Sequence, residues 1–241
     1  MTGELKVYPD LAALARAAAT HFVDIAQSSI ALNGRFSVAL SGGTTPEQMF
    51  RLLAAPEFYS QIDWKHVHLF WSDERCVAPD HPESNYAMAW NSFIDHVPIS
   101  MDNIHRILGE EDPVVAADTY EQDLKDHFKA PVPKFDLILL GLGEDGHTVS
   151  IFPGSTAAAE VKKLVVATQH PKSNQWRVTL TFPAINAAAN VSFLVSGSAK
   201  AGMLRIVKSG LVSPEEIPVT GVDPKSGTLT WFCDHAAAGV R

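Results

Sequence analysis

A chain of 241 residues that is 46% hydrophobic is long enough to bury the core of one α/β domain, and no apolar run in it reaches the ~20 residues that span a bilayer. A formal net charge of −8 with no basic stripe set against it excludes nucleic acid as an expected partner and offers anionic lipid no attraction. Any anionic ligand must then be held by a few local cations and helix N-termini.

Strand-like and helix-like segments alternate along the chain. The opening MTGELKVYPD has neither the basic region nor the apolar core of a signal peptide. Leu11, Leu14, Ala15, Ala18, Phe22, Ile25 and Ser29 fall at helical spacing, and Asn33-Gly34 stops that helix. Phe36–Leu40 is a short apolar strand, and Pro46 suits the first turn of a helix through Leu53. The strand Val67–Trp71 leads through a polar loop to a helix over Tyr86–His96, then to a helix over Val114–Phe128. Ala130–Lys134 (APVPK) is the best candidate boundary but reads equally well as a helix-to-strand loop. Phe135–Leu140 is a fully apolar strand. After a glycine turn come strands at Leu164–Thr168 and Val178–Thr181, a short helix begun by Pro183, a strand at Val191–Ser196, a helix at Ala199–Ser209 and a last strand at Leu229–Cys233. Short apolar strands separated by helices predict one domain, a mainly parallel Rossmann-like sheet with helices on both faces.

In such sheets ligands bind beyond the carboxyl ends of the strands, and three loops there are rich in chemistry. Ser41-Gly42-Gly43-Thr44-Thr45-Pro46 joins a strand to a helix, so successive N–H groups, hydroxyls and a helix N-terminus can cradle a phosphate. An ordinary capped turn is an equal reading, and the absence of Gly-Lys-Ser/Thr disfavours a nucleotide triphosphate with magnesium. Ser72-Asp73-Glu74-Arg75 closes the next strand; its charges suit a metal, acid–base work or, taken alone, a surface ion cluster. Ser84-Asn85-Tyr86 reads as an N-cap and helix start.

The third loop lies in FDLILLGLGEDGHTVSIFPGS, Phe135–Ser155. Its G-x-G-x-x-G (Gly141, Gly143, Gly146) fails as a dinucleotide fingerprint: Pro153-Gly154 interrupts the helix it should open, and the next strand ends in Gln169-His170 instead of a ribose-binding carboxylate. His147 stands two residues from Asp145, which can orient the ring and stabilise imidazolium. Arg177 opens the strand RVTLT. Lys200 sits where a strand hands over to a helix, against the macrodipole, which a local anion would explain. His66 and His68 alternate onto one strand face and suit zinc, yet no third ligand has diagnostic spacing. Cys76 and Cys233 make no disulfide framework, so plain reduced thiols and a cytoplasmic location are expected.

Taken together these blocks resemble the 6-phosphogluconolactonase family. The resemblance runs through SVALSGGTTP, HLFWSDERCV with HPESNYAMA, FDLILLGLGEDGHTVSIFPG, RVTLTFPAINAA, the Gly-Ser-Ala-Lys turn and LTWFCD. Val149 and Ile151 depart from the Ala and Leu expected there, and Ile217–Ser226 has no assigned role. The resemblance implies a fold similar to those of glucosamine-6-phosphate deaminase and ribose-5-phosphate isomerase. It also implies hydrolysis of a sugar-phosphate lactone, with no metal or organic cofactor. His147 is then the general base and Asp145 orients it. Arg75 faces developing charge or substrate hydroxyls, Asp73 bonds the sugar, and the phosphate lies on Ser41, Gly42, Gly43 and Thr44, neutralised by Arg177 and Lys200. A serine nucleophile lacks its G-x-S-x-G elbow. Alternatives are a deaminase or isomerase of the sister group, in which Asp73 would serve as acid–base, and a non-catalytic sugar-phosphate sensor.

Overall fold

Asp10 separates strand β1 (Glu4–Tyr8) from helix α1 (Leu11–Asn33), its carboxylate accepting a hydrogen bond from Ala13 N at 2.8 Å. At the other end Gly34, at φ +75°, supplies the left-handed residue that ends the helix. These details belong to a computed structural model that describes residues 3–240. Strands β2 (Phe36–Leu40), β3 (Val67–Trp71), β4 (Asp73–Arg75), β5 (Leu137–Leu140), β6 (Val165–Gln169), β7 (Trp176–Leu180), β8 (Asn190–Val195) and β9 (Thr228–Asp234) follow. They are linked through helices α2 (Thr44–Leu53), α3 (Pro56–Tyr59), α4 (Asn85–Ser92), α5 (Pro113–Phe128), α6 (Phe182–Ile185), α7 (Ala201–Ser209) and α8 (His235–Ala238).

Six strands form a parallel sheet in the order β1-β9-β8-β5-β2-β3. Every residue of β2 and β5 is buried, as central strands of a sheet covered on both faces must be. The expected mainly parallel α/β architecture is present. Two features were not foreseen. β1 is an edge strand whose Glu4-Leu5-Lys6-Val7-Tyr8 lacks a continuous apolar run, and β4 lies in what reads as a polar loop. β4 joins β7 and β6 in a second, antiparallel sheet of order β4-β7-β6.

Helix bounds also shift. α2 starts at Thr44, ahead of Pro46, after Gly43 turns the chain at φ +110°. The helix expected over Tyr86–His96 stops at Ser92. Phe93, at φ −155°, drops into the core against Phe50 and Trp64, and a 3-10 turn continues over Ile94–His96.

The passage from the large sheet to the small one positions the site. Ser72 N still bonds Leu40 O at 2.8 Å while Ser72 O accepts from Leu180 N at 2.8 Å, so one residue belongs to both sheets. The backbone groups of Trp71 are satisfied by one buried hydroxyl. Trp71 N donates to Tyr120 Oη, and Tyr120 Oη donates to Trp71 O, each at 2.9 Å.

Candidate active site

Strands β8, β5, β2 and β3 are neighbours and point the same way, so the loops after them collect at one edge. There they surround a cleft of about 500 Å³ whose wall includes Ser41, Gly42, Gly43, Asp73, Arg75, Asp145, His147, Arg177 and Lys200. Of the residues expected to share a site, only Thr44 is outside that wall; it is exposed at the start of α2. Asn85, Phe152, His170 and Lys172 also line the cleft and were missed. Asn85 reads as a helix start, and the segment carrying His170 and Lys172 has no pattern that ties it to the strand ends.

The glycine turn after β5 is closed by its own bonds. Gly143 N donates to His147 O at 2.8 Å, and Thr148 Oγ1 donates to Gly141 O at 2.9 Å. This brings Asp145 Oδ1 to 2.5 Å from His147 Nδ1 and 3.1 Å from His147 N. The carboxylate acceptor fixes the ring proton on Nδ1, leaving Nε2 with its lone pair. Burial pushes the Asp145 carboxyl up, but the bonds from His147 N–H and the imidazole outweigh it and hold the group below the usual carboxylate range. The ring packs on Phe152 with centroids 5.0 Å apart. The segment Ile217–Ser226 supports the turn from behind: Val219 N donates to Gly146 O at 3.0 Å, and Ile217 packs where a Gly146 side chain would go. Val149 holds φ +48°, a costly conformation for a β-branched residue.

The Asp-Glu-Arg segment is not the surface ion cluster its composition suggests, because Asp73 and Glu74 are 6% and 3% exposed. Glu74 accepts from Arg75 N, Asn85 N, Tyr86 N and Ser84 Oγ at 2.7–3.0 Å, anchoring the start of α4 beneath the site. Burial raises its pKa against those bonds. Asp73 Oδ2 accepts from Ser150 Oγ at 2.6 Å, and Asn85 Nδ2 donates to Asp73 O at 2.9 Å. Ser84 caps α4 as expected, accepting from Ala87 N.

Arg75 and Arg177 face each other across β4 and β7. Arg75 donates to Glu83 O and Arg177 to Gln175 Oε1, and the buried Nε of each has no partner. Burial and the neighbouring Arg75 charge lower the Arg177 pKa. Neither guanidinium has a carboxylate within ion-pair distance among the described residues, an arrangement that invites an anion. Lys200 precedes α7, with Nζ 3.9 Å from Glu144 Oε1. Burial pushes the Cys76 thiol to about 11 and the Cys233 thiol to about 12, so neither is an activated nucleophile. No helix of the described residues is long and apolar enough to cross a membrane.

His66 does not pair with His68: it sits in a 3-10 turn before β3, with Nδ1 2.9 Å from Asp63 Oδ2. His68 is grouped instead with His105 and His127, away from the cleft.

A family model described as glucosamine-6-phosphate isomerases/6-phosphogluconolactonase matches residues 9–231. The 6-phosphogluconolactonase of Haemophilus influenzae is 38% identical over 225 residues, covering 91% of this chain and 95% of that protein. The 6-phosphogluconolactonase of a Nostoc species is 38% identical over 100% of this chain and 99% of its own length. The solved 6-phosphogluconolactonase of Trypanosoma cruzi superposes with a TM-score of 0.88 at 30% identity, over 99% of this chain and 96% of the other. With the family model matching most of its length and relatives of this identity and coverage, the chain belongs to the glucosamine-6-phosphate isomerase/6-phosphogluconolactonase family.

Proposed function

We propose that this chain hydrolyses 6-phospho-D-glucono-1,5-lactone to 6-phospho-D-gluconate, the second step of the oxidative pentose phosphate pathway. The observation that carries the reading is the Asp145–His147 pair, whose 2.5 Å contact at Nδ1 leaves Nε2 as a proton acceptor in a cleft that also holds cations. A lactone is a cyclic ester, so its opening needs an activated water and a partner for the oxygen that becomes negative. His147 Nε2 takes a proton from water as the water oxygen bonds to C1. The tetrahedral intermediate then expels the ring oxygen, which receives that proton from the imidazolium. Asp145 holds the tautomer and stabilises the charged ring.

Arg75 faces the developing negative charge, and Asp73 accepts bonds from the sugar hydroxyls. The 6-phosphate lies on the N–H groups of Ser41–Gly43, with Thr44 at the start of α2 behind them, and is neutralised by Arg177 and Lys200. Binding energy at the phosphate places C1 beside His147, so a remote contact supports the chemistry. The test supplies lactone generated in situ and follows its loss against the uncatalysed rate. Acceleration without ammonia release from glucosamine 6-phosphate is expected. Ammonia release would make the chain a deaminase, and tight 6-phosphogluconate binding without acceleration would make it a sensor.

A further inference from the structure

The far end of the parallel sheet holds a second convergence of side chains that the proposed reaction does not use. His68 is the second residue of β3. His105 follows a 3-10 turn (Met101–Asn103), with its N donating to Leu69 O at 2.8 Å, and His127 lies in the last turn of α5. One ring nitrogen from each lies within 4.8 Å of the other two. His68 Nδ1 and His105 Nε2 are 3.3 Å apart. Two nitrogens bound to zinc at ~2.0–2.1 Å stand about 3.3–3.4 Å apart across a tetrahedral angle.

The surroundings hold the rings in place. Asp123 Oδ2 is 3.0 Å from His105 Nδ1, which fixes the proton there and leaves the Nε2 lone pair facing His68 Nδ1, the carboxylate–histidine arrangement that backs ligating imidazoles. Phe70 stacks on His105 at 4.2 Å with planes 6° apart and meets the His127 ring edge-on at 5.0 Å. Ser37 Oγ lies 3.0 Å from His127 Nε2. Arg35, bonded to His127 O at 3.4 Å, opposes a cation, and Asp123 offsets it.

We propose that His68, His105 and His127 bind one divalent ion of the zinc class, with solvent in the fourth position and Asp123 orienting His105. All-imidazole donors select such borderline ions over magnesium or calcium. The ion would clamp three segments, β3, the His105 loop and α5, and so act on stability. It would not act on turnover, because none of the three histidines is part of the cleft wall.

Metal-free wild-type protein titrated with Co²⁺ is expected to bind one ion per chain and to show the intense visible band of four-coordinate cobalt. Zn²⁺ should displace it and raise the melting temperature. His105→Gln and His127→Ala should each abolish the band, and Asp123→Asn should weaken binding about 10- to 100-fold. A weak six-coordinate spectrum, a band that persists in folded His105→Gln, or one lost only in His147→Ala would overturn the proposal. Should the variants fail to fold, imidazole nitrogen NMR of wild type decides: zinc must move the signals of three histidines, and three unmoved rings would overturn it.

Discussion

Gly143 has no side chain because the Asp145–His147 pair occupies that space. A Cβ there would lie 2.2 Å from His147 Nδ1 and 2.6 Å from Asp145 Oδ1, distances at which one partner must move. Gly143→Ala is expected to cut kcat at least ~10-fold, because a displacement of about 1 Å at the reacting group is costly. Thermal melting should change much less than activity, and a fully active Gly143→Ala would show that the pair tolerates displacement. In the proposed reaction the cations act on binding. Arg177→Ala and Lys200→Ala each remove a charge-assisted bond worth about 1.5–3 kcal/mol, which is ~10- to 100-fold in KM for the phosphorylated lactone. Unphosphorylated gluconolactone should be turned over equally by wild type and both variants. Equal losses on both substrates would place the phosphate elsewhere.

At the scale of elements, the β3-to-β4 passage depends on Tyr120, whose hydroxyl satisfies both the N–H and the C=O of Trp71 inside the core. Burial raises its pKa far above the usual phenol range, so it stays a neutral donor and acceptor. Tyr120→Phe leaves two buried backbone groups without a partner and should cost about 1–3 kcal/mol per group. Urea unfolding measures it, and an unchanged midpoint would mean water replaces the hydroxyl.

The same passage explains what was hidden in the sequence. β2, β3, β5 and β8 read as apolar strands and were legible, as were the three chemical loops that follow β2, β3 and β5. β4 is Asp-Glu-Arg, held by cross-strand pairing with β7 instead of by hydrophobic alternation, so no periodicity announces it. Asn85 belongs to the cleft because Gly42 allows its amide close to the β2 loop, a contact between segments far apart in the chain. The three clustered histidines were invisible for the same reason: His68 and His105 meet across 37 residues.

For the whole molecule, half-buried imidazoles contribute to the acid response. Burial pushes His68 to about 4 and His127 to about 3, helped by neighbouring positive groups including Arg35, and it lowers His21 as well. The unfolded chain protonates these rings near ~6.5 while the native chain resists until lower pH. At these rings, between pH 6.5 and 4, the unfolded state therefore binds more protons, and their contribution to stability falls as pH falls. Glu74 and Asp136, raised by burial, act in the opposite sense, so the rings are tested directly: imidazole NMR of metal-free protein should show His68 and His127 still neutral at pH 5, and rings that titrate near the ordinary ~6.5 would contradict their burial.

The most direct test of the proposed chemistry compares loss of 6-phospho-D-glucono-1,5-lactone at pH 6.5 with wild type, with His147→Ala and with no protein. Wild type should accelerate hydrolysis, and His147→Ala should retain its fold while losing about 10²–10⁴-fold in kcat. Near-wild-type turnover by His147→Ala would remove His147 as the base, and no acceleration by wild type would contradict lactone hydrolysis itself.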